Sequence, residues 1–459
     1  MQSVTRRAQR RLAARVLHGA VGRETASFGG ARRCASLALF AVLLGACGAK
    51  TGLEVPDAQV DAGVDAGTDA GPDAGPDAGI PCVEVLPDGG PIDLPLQTQV
   101  ELGRADVVFA IDTTASMVQE LEQIRTNLRD RLAPGIRAAI ADSELGVTTF
   151  ADFPEGNCGS ERDSDLPFRL LLPVTSDIGR VQTAVNAITL NNGSDEPEAQ
   201  VEALYQIATG EGIGRYVPPS FGCPSGGIGY PCFRSDALPV VLLFSDAPFH
   251  NGPGGTNPTT EGDACPLVVP SPHTYAQALE ALTAARIRVI GLYSGPADEA
   301  GERDLRRVAT DTLALSGDMP LVFDIGPRGE RLSESVIEGI ATLASVVEFD
   351  VDTLLVDVDR TDAVDPRDFV DAVVPLRAEP MSAIRGIDVA SGRFLGVRTG
   401  TLVVFQLRLR NDAVAPGVGP QRFVLEIVFR GDGRTRLGAS RIEIVVPGAD
   451  GTGCPPGPV

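Results

Sequence analysis

Asp112, Thr114 and Ser116 set one carboxylate and two hydroxyls at alternate positions directly behind the apolar run 107–111. Hard oxygens of this kind suit Mg²⁺, Mn²⁺ or Ca²⁺, and the lack of thiolate or imidazole among them argues against zinc and copper. Alone, the pattern D-x-T-x-S also serves as a helix cap. Further acids stand at equivalent places. Asp152 follows the strand-like stretch 144–150, and Asp246 follows the stretch 239–244. The loop 191–198 carries Asp195, Glu196, Pro197 and Glu198 before another helical stretch. There Pro197 suits a first helical turn, and the acids suit the positive helix end.

The elements that position these groups are legible from periodicity. An unbroken β-branched and apolar run reads as a strand buried on both faces, and Met117, Leu121, Ile124, Leu128 and Leu132 recur at helical spacing behind it. The segment carrying Asp112 is therefore a strand-to-helix turn. In an open α/β sheet such turns lie beyond the carboxyl ends of the strands, where ligands collect.

In order along the chain stand D-x-T-x-S, F-x-D at residues 150–152, D-x-P-E at 195–198 and S-D-A at 245–247. This order resembles the von Willebrand factor type A family over about residues 104–346, and within it the inserted, metal-dependent domain of integrin β subunits. The resemblance implies that Thr114, Ser116 and Glu198 contact a Mg²⁺ or Mn²⁺ directly, with Asp112 and Asp246 holding it through water. It implies a neighbouring Ca²⁺ site at Asp152, Asp195, the Pro197 carbonyl and Glu198, where Gly193 replaces the family's asparagine. A third site beside the first helix needs paired acids, and this chain offers Gln119 and Glu120. The fold implied is a doubly wound, mostly parallel α/β sheet. The site implied keeps a coordination position open for a carboxylate supplied by a partner. Metal-assisted hydrolysis is the competing chemistry and needs a base near a metal-bound water. His250 and His273, the histidines after the leader, have no zinc-binding spacing and read as a loop or satisfied, partly buried residue and a helix cap.

Arginine-rich residues precede the apolar stretch 35–44, which ends in Leu44-Gly45-Ala46-Cys47. That ending resembles a bacterial lipobox, with Cys47 as the lipid-bearing first residue after a leader at 1–46. Gly48 after the cysteine points to the outer membrane of a bacterial envelope. Within the stretch 47–81, residues 56–79 repeat Asp-Ala-Gly units with no large apolar residue beyond valine, as expected of a solvated tether. The net charge of −22 makes nucleic acid an unsuitable partner.

Six further cysteines, an even number outside the cytoplasm, suggest disulfides. Cys223 and Cys232 bracket a short loop and are expected to pair. Cys158 with Cys265 would shape the metal face, and Cys82 with Cys454 would close the base. The period changes after residue 346. Stretches 346–356, 393–396, 401–410, 421–429 and 441–446 read as strands of an immunoglobulin-like sandwich over 347–447, with a tail at 448–459. The strand-like segment 82–103 is expected to complete that sandwich. The expectation is a surface lipoprotein, not an enzyme, that binds a protein or other acidic ligand through a divalent cation. A purely structural envelope protein is the first alternative and a metal-dependent hydrolase the second.

Overall fold

The computed structural model describes residues 80–455 except 88, 157, 161–164, 192, 194–195, 255–266, 298 and 362. The described residues belong to one compact unit, Asp69–Val459. The expected leader, Cys47 and the tether lie outside the described residues, as do Asp195 and Cys265. No helix among the described residues is long and apolar enough to cross a membrane.

Two short strands, β1 (Cys82–Glu84) and β2 (Ile92–Gln99), precede β3 (Arg104–Asp112), which is buried along nearly its whole length. A 3₁₀ turn at Ala115–Met117 leads into α1 (Val118–Asn127), a π turn at Leu128–Leu132 and α2 (Ala133–Ala139). The five residues at helical spacing, Met117 to Leu132, are all fully buried. Next come β4 (Asp142–Phe150), β5 (Arg169–Thr175), α3 (Ile178–Asn186) and α4 (Gln200–Thr209). They are followed by β6 (Leu238–Ser245), α5 (Tyr275–Ala284), β7 (Arg288–Tyr293) and α6 (Ala300–Asp311). A small ribbon of β8 (Leu315–Ser316) and β9 (Met319–Pro320), then β10 (Val322–Asp324) and α7 (Leu332–Val346), complete this part.

The remainder is β-rich: β11 (Glu348–Asp357), β12 (Val370–Glu379), β13 (Gly386–Asp388), β14 (Arg393–Arg398), β15 (Leu402–Leu409), β16 (Gln421–Gly431) and β17 (Thr435–Val446). Four sheets result, in the orders β10-β7-β6-β3-β4-β5, β1-β17-β16-β11-β14-β13, β12-β15-β2 and β8-β9. Phe405 of the three-stranded sheet meets Phe394 and Phe429 of the second six-stranded sheet at ring-centroid distances of 5.0 and 5.9 Å, so these two sheets share a core.

This topology corrects the expected fold class. The chain is mixed α/β with mostly antiparallel or mixed sheets, not a doubly wound parallel sheet with an immunoglobulin-like sandwich attached. Parallel pairing dominates only the first sheet, and there β5 runs antiparallel to β4. The second six-stranded sheet is antiparallel except at its edge, where β1 runs parallel to β17. Apolar periodicity reports which face of a strand is buried and is silent on the direction of its neighbour.

The α/β part begins and ends at one turn of the β part. Val100 donates to Thr401 O at 2.9 Å and accepts from Gly400 N at 2.7 Å, while Thr399 N donates to Val347 O at 3.3 Å. At the amino ends of the parallel strands the β16–β17 turn is plugged in. Asp432 faces Arg288 at 3.6 Å with both side chains buried, Arg434 Nη1 donates to Ala285 O at 2.8 Å, and Arg436 N donates to Asp236 O at 2.8 Å. Buried Asp106, at the start of β3, is matched by Arg234, which also reaches Asp142. The opposite end of the sheet is left for the functional loops.

Candidate cation site

At the carboxyl end of β3 the chain turns sharply, and Asp112 organises that turn. Its Oδ1 accepts from Thr114 N at 2.9 Å and from Thr114 Oγ1 at 2.7 Å. Thr114 Oγ1 stands 3.2 Å from Ser116 Oγ, which donates to Asp246 Oδ1 at 3.1 Å. Octahedral Mg²⁺ with ligands at about 2.1 Å places neighbouring oxygens about 3 Å apart, so this run of oxygens already has the spacing of such a shell. The donor set fits a hard cation. Ser116 is exposed and Asp246 half-buried, so the cluster opens to solvent, while Asp112 and Thr114 are buried.

Two residues that the sequence reading passed over hold the carboxylate in place. Ser245 Oγ donates to Asp112 Oδ2 at 2.9 Å and accepts from Gln200 Nε2 at 2.9 Å, and Gln200 also bonds Ala247 O. Ser245 ends β6 and Gln200 begins α4, so three separate elements converge on Asp112. The S-D-A pattern at 245–247 marked the place, but nothing in spacing alone pairs Gln200 with it.

Glu198 is buried beside the same turn. Its backbone is spent on the neighbouring loop: Glu198 N donates to Pro248 O at 3.0 Å and His250 N donates to Glu198 O at 2.7 Å. That pairing is why α4 starts at Gln200 and Pro197 stands before the helix, against the expectation that Pro197 would occupy its first turn. Gly193 has φ +61°, and a Cβ there would sit 3.3 Å from both Glu198 Oε1 and Thr114 Cγ2. Glycine at this position thus admits both backbone shape and close approach.

Burial pushes the Asp112 carboxyl up to about 7, and the charge of Asp246 adds to the shift. Burial likewise raises Asp246 and Glu120, which lies buried in the first turn of α1 and feels Asp246. Excess negative charge is therefore gathered where a cation would neutralise it. Between the ordinary value of 3.8 and about 7, the cation-free fold holds a proton on Asp112 that the unfolded chain has lost. Stability in EDTA should consequently fall as pH rises through that window and level off above it. Asp112→Asn should flatten the slope and raise stability at pH 8 by on the order of 2–4 kcal/mol, read from urea midpoints. An unaltered slope in the variant would show that another group carries it.

Asp152, Cys158 and His250 bring ligand-type atoms within 4.8 Å of one another. Cys158 is disulfide-bonded and so lacks a thiolate, and Asp152 Oδ2 is engaged by His250 Nε2 at 2.7 Å while its Oδ1 accepts from Phe153 N at 2.7 Å. His250 is enclosed at 2% exposure, a satisfied residue buried more fully than expected. His273 does not cap the helix after it. Thr274 does so through a capping box with Gln277, whereas His273 Nδ1 bonds Glu202 at 2.9 Å and its ring stacks on Tyr205.

Cys82 is bonded to Cys454, and Cys223 to Cys232. Cys265 and Asp195 fall outside the described residues, so their expected roles have no counterpart here.

No family model matches the chain, and no curated protein matches it. Among solved structures, the proximal thread matrix protein 1 of the mussel byssus is similar at 12% identity and a TM-score of 0.32, covering 56% of this chain. The match spans 51% of that protein, about half its length.

Proposed function

We propose that this protein binds an acidic ligand through a divalent cation, Mg²⁺ or Mn²⁺, held by Asp112, Thr114, Ser116, Glu198 and Asp246. The observation that carries the reading is the run of oxygens from Asp112 to Asp246, spaced as cation ligands, open to solvent at Ser116 and overcharged with buried carboxyls. With Thr114, Ser116 and Glu198 contacting the ion directly and Asp112 and Asp246 acting through water, two hydroxyls and one carboxylate leave a coordination position that a carboxylate from outside completes. The motif order resembling the von Willebrand factor type A family supports the same reading. A neighbouring Ca²⁺ near Asp152 and Glu198, lipid attachment at Cys47 and residence in a bacterial envelope belong to this proposal. No catalytic step is part of it.

The test is retention of the purified protein on an immobilised Asp-containing peptide. Binding should require Mg²⁺ or Mn²⁺ and be reversed by EDTA, and the matching Asn peptide should retain nothing. Retention that ignores EDTA would sink the reading. Calorimetric cation uptake without any carboxylate-dependent retention would instead favour purely structural ions.

A further inference from the structure

Beside the cation cluster is a small cleft of about 30 Å³ whose lining includes the polar residues Thr113, Thr149, Arg169, Thr189 and Asn191 among apolar neighbours. That is room for roughly two water-sized groups, the size of one carboxylate. The cleft shares a wall with the cluster. Thr113 lies between Asp112 and Thr114, and Asn191 N fixes its carbonyl at 2.7 Å. Thr113 Oγ1 donates to Phe150 O, which ties the same wall to the end of β4.

Arg169 opens β5 at the mouth of this cleft. It is exposed and has no carboxylate within ion-pair distance among the described residues, in a chain whose net charge is −22. A cation so placed attracts an anion from outside, and a guanidinium grips a carboxylate with two parallel bonds. Register places Arg169 relative to the strand that carries Asp112. Arg169 pairs with Thr149, and Thr149 with Ile111, the residue before Asp112. Two strand spacings put the backbone of Arg169 about 10 Å from that of Ile111, with side-chain reach on either side.

We infer that the ligand is an acidic peptide segment gripped at two points: one carboxylate completes the cation shell above Ser116, and a second enters the Arg169 cleft. In a polyproline II segment residues i and i+3 share one face about 9 Å apart, so two acids three positions apart reach both points. This deepens the cation-site reading and rests on it.

The experiment uses Mn²⁺-loaded protein and two fluorescent peptides, Gly-Asp-Gly-Gly-Asp-Gly and Gly-Asp-Gly-Gly-Asn-Gly, with Mn²⁺ content read on each sample by electron paramagnetic resonance. The diacid should bind about tenfold tighter. In Arg169→Gln the two peptides should bind alike, whereas exposed Arg180→Gln should keep the preference. Mn²⁺ uptake with equal binding, or no binding, of the two peptides by the parent protein overturns the two-point site and leaves the cation site standing. Absence of Mn²⁺ uptake overturns both.

Discussion

Asp112→Ala and Glu198→Ala should each weaken Mn²⁺ binding by at least about a hundredfold in calorimetry, more than the 10–100-fold typical of residues that merely support a metal ligand. Asp112 is the hub: it is fully buried and accepts from Thr114 twice and from Ser245 once. Removing it frees the turn as well as the charge. The loss is distinguishable from unfolding through Asp112→Asn, which keeps an acceptor for Thr114, removes the charge and should not lower stability in EDTA at pH 8. Asp152→Ala should spare this site, since Asp152 is bonded to His250 and Phe153 rather than to the oxygens around Asp112. Equal affinity in the parent, Asp112→Ala and Glu198→Ala would remove the assignment.

The second large effect concerns the ends of the folded chain. Cys82 and Cys454 are 372 residues apart in sequence, and β1, which the bond secures, pairs with β17 over only three residues. Loop-closure entropy grows with the length of chain enclosed, so the double variant Cys82→Ser, Cys454→Ser should lose about 4 kcal/mol in urea unfolding. Arg422, which reaches Glu443 and Gly453 O, is a much weaker tie. A loss under about 0.5 kcal/mol would mean that pairing alone holds the ends.

Which features were legible follows from what each signal measures. The run 107–111 announced a strand because both its faces are buried, and the helical spacing from Met117 to Leu132 survived intact even though a π turn interrupts the helix. Strand β12 escaped notice because Pro375 and the charges of Asp371 and Arg377 break its alternation. It lies at a sheet edge, where the register with β15 shifts around Pro375. Sheet direction was misjudged because it depends on connection geometry. At the site, Asp112, Thr114, Ser116 and Asp246 are brought together, and Glu198 and Thr114 both border Gly193. The bond between Asp152 and His250 joins residues 98 apart, and no local pattern encodes it. The carboxylate that motif order assigns to a neighbouring cation also bonds an imidazole.

The turn Thr399–Gly400–Thr401 bonds both Val100 and Val347, so the stretch between those two residues enters and leaves the β part at one pivot. Topologically it is a cassette. Strands β2 and β15 pair across the break, as do β1 and β17, so every ladder of the β part is made without any residue of the stretch. Excising it and joining Val100 to Val347 by a short turn would preserve those ladders, at the loss of the bonds of Asp432, Arg434 and Arg436 to the α/β base and of the apolar packing that joins the two parts. The same geometry suits circular permutation: new termini opened at this pivot, with the old ends already joined through Cys82 and Cys454, would yield a chain of identical contacts and different order.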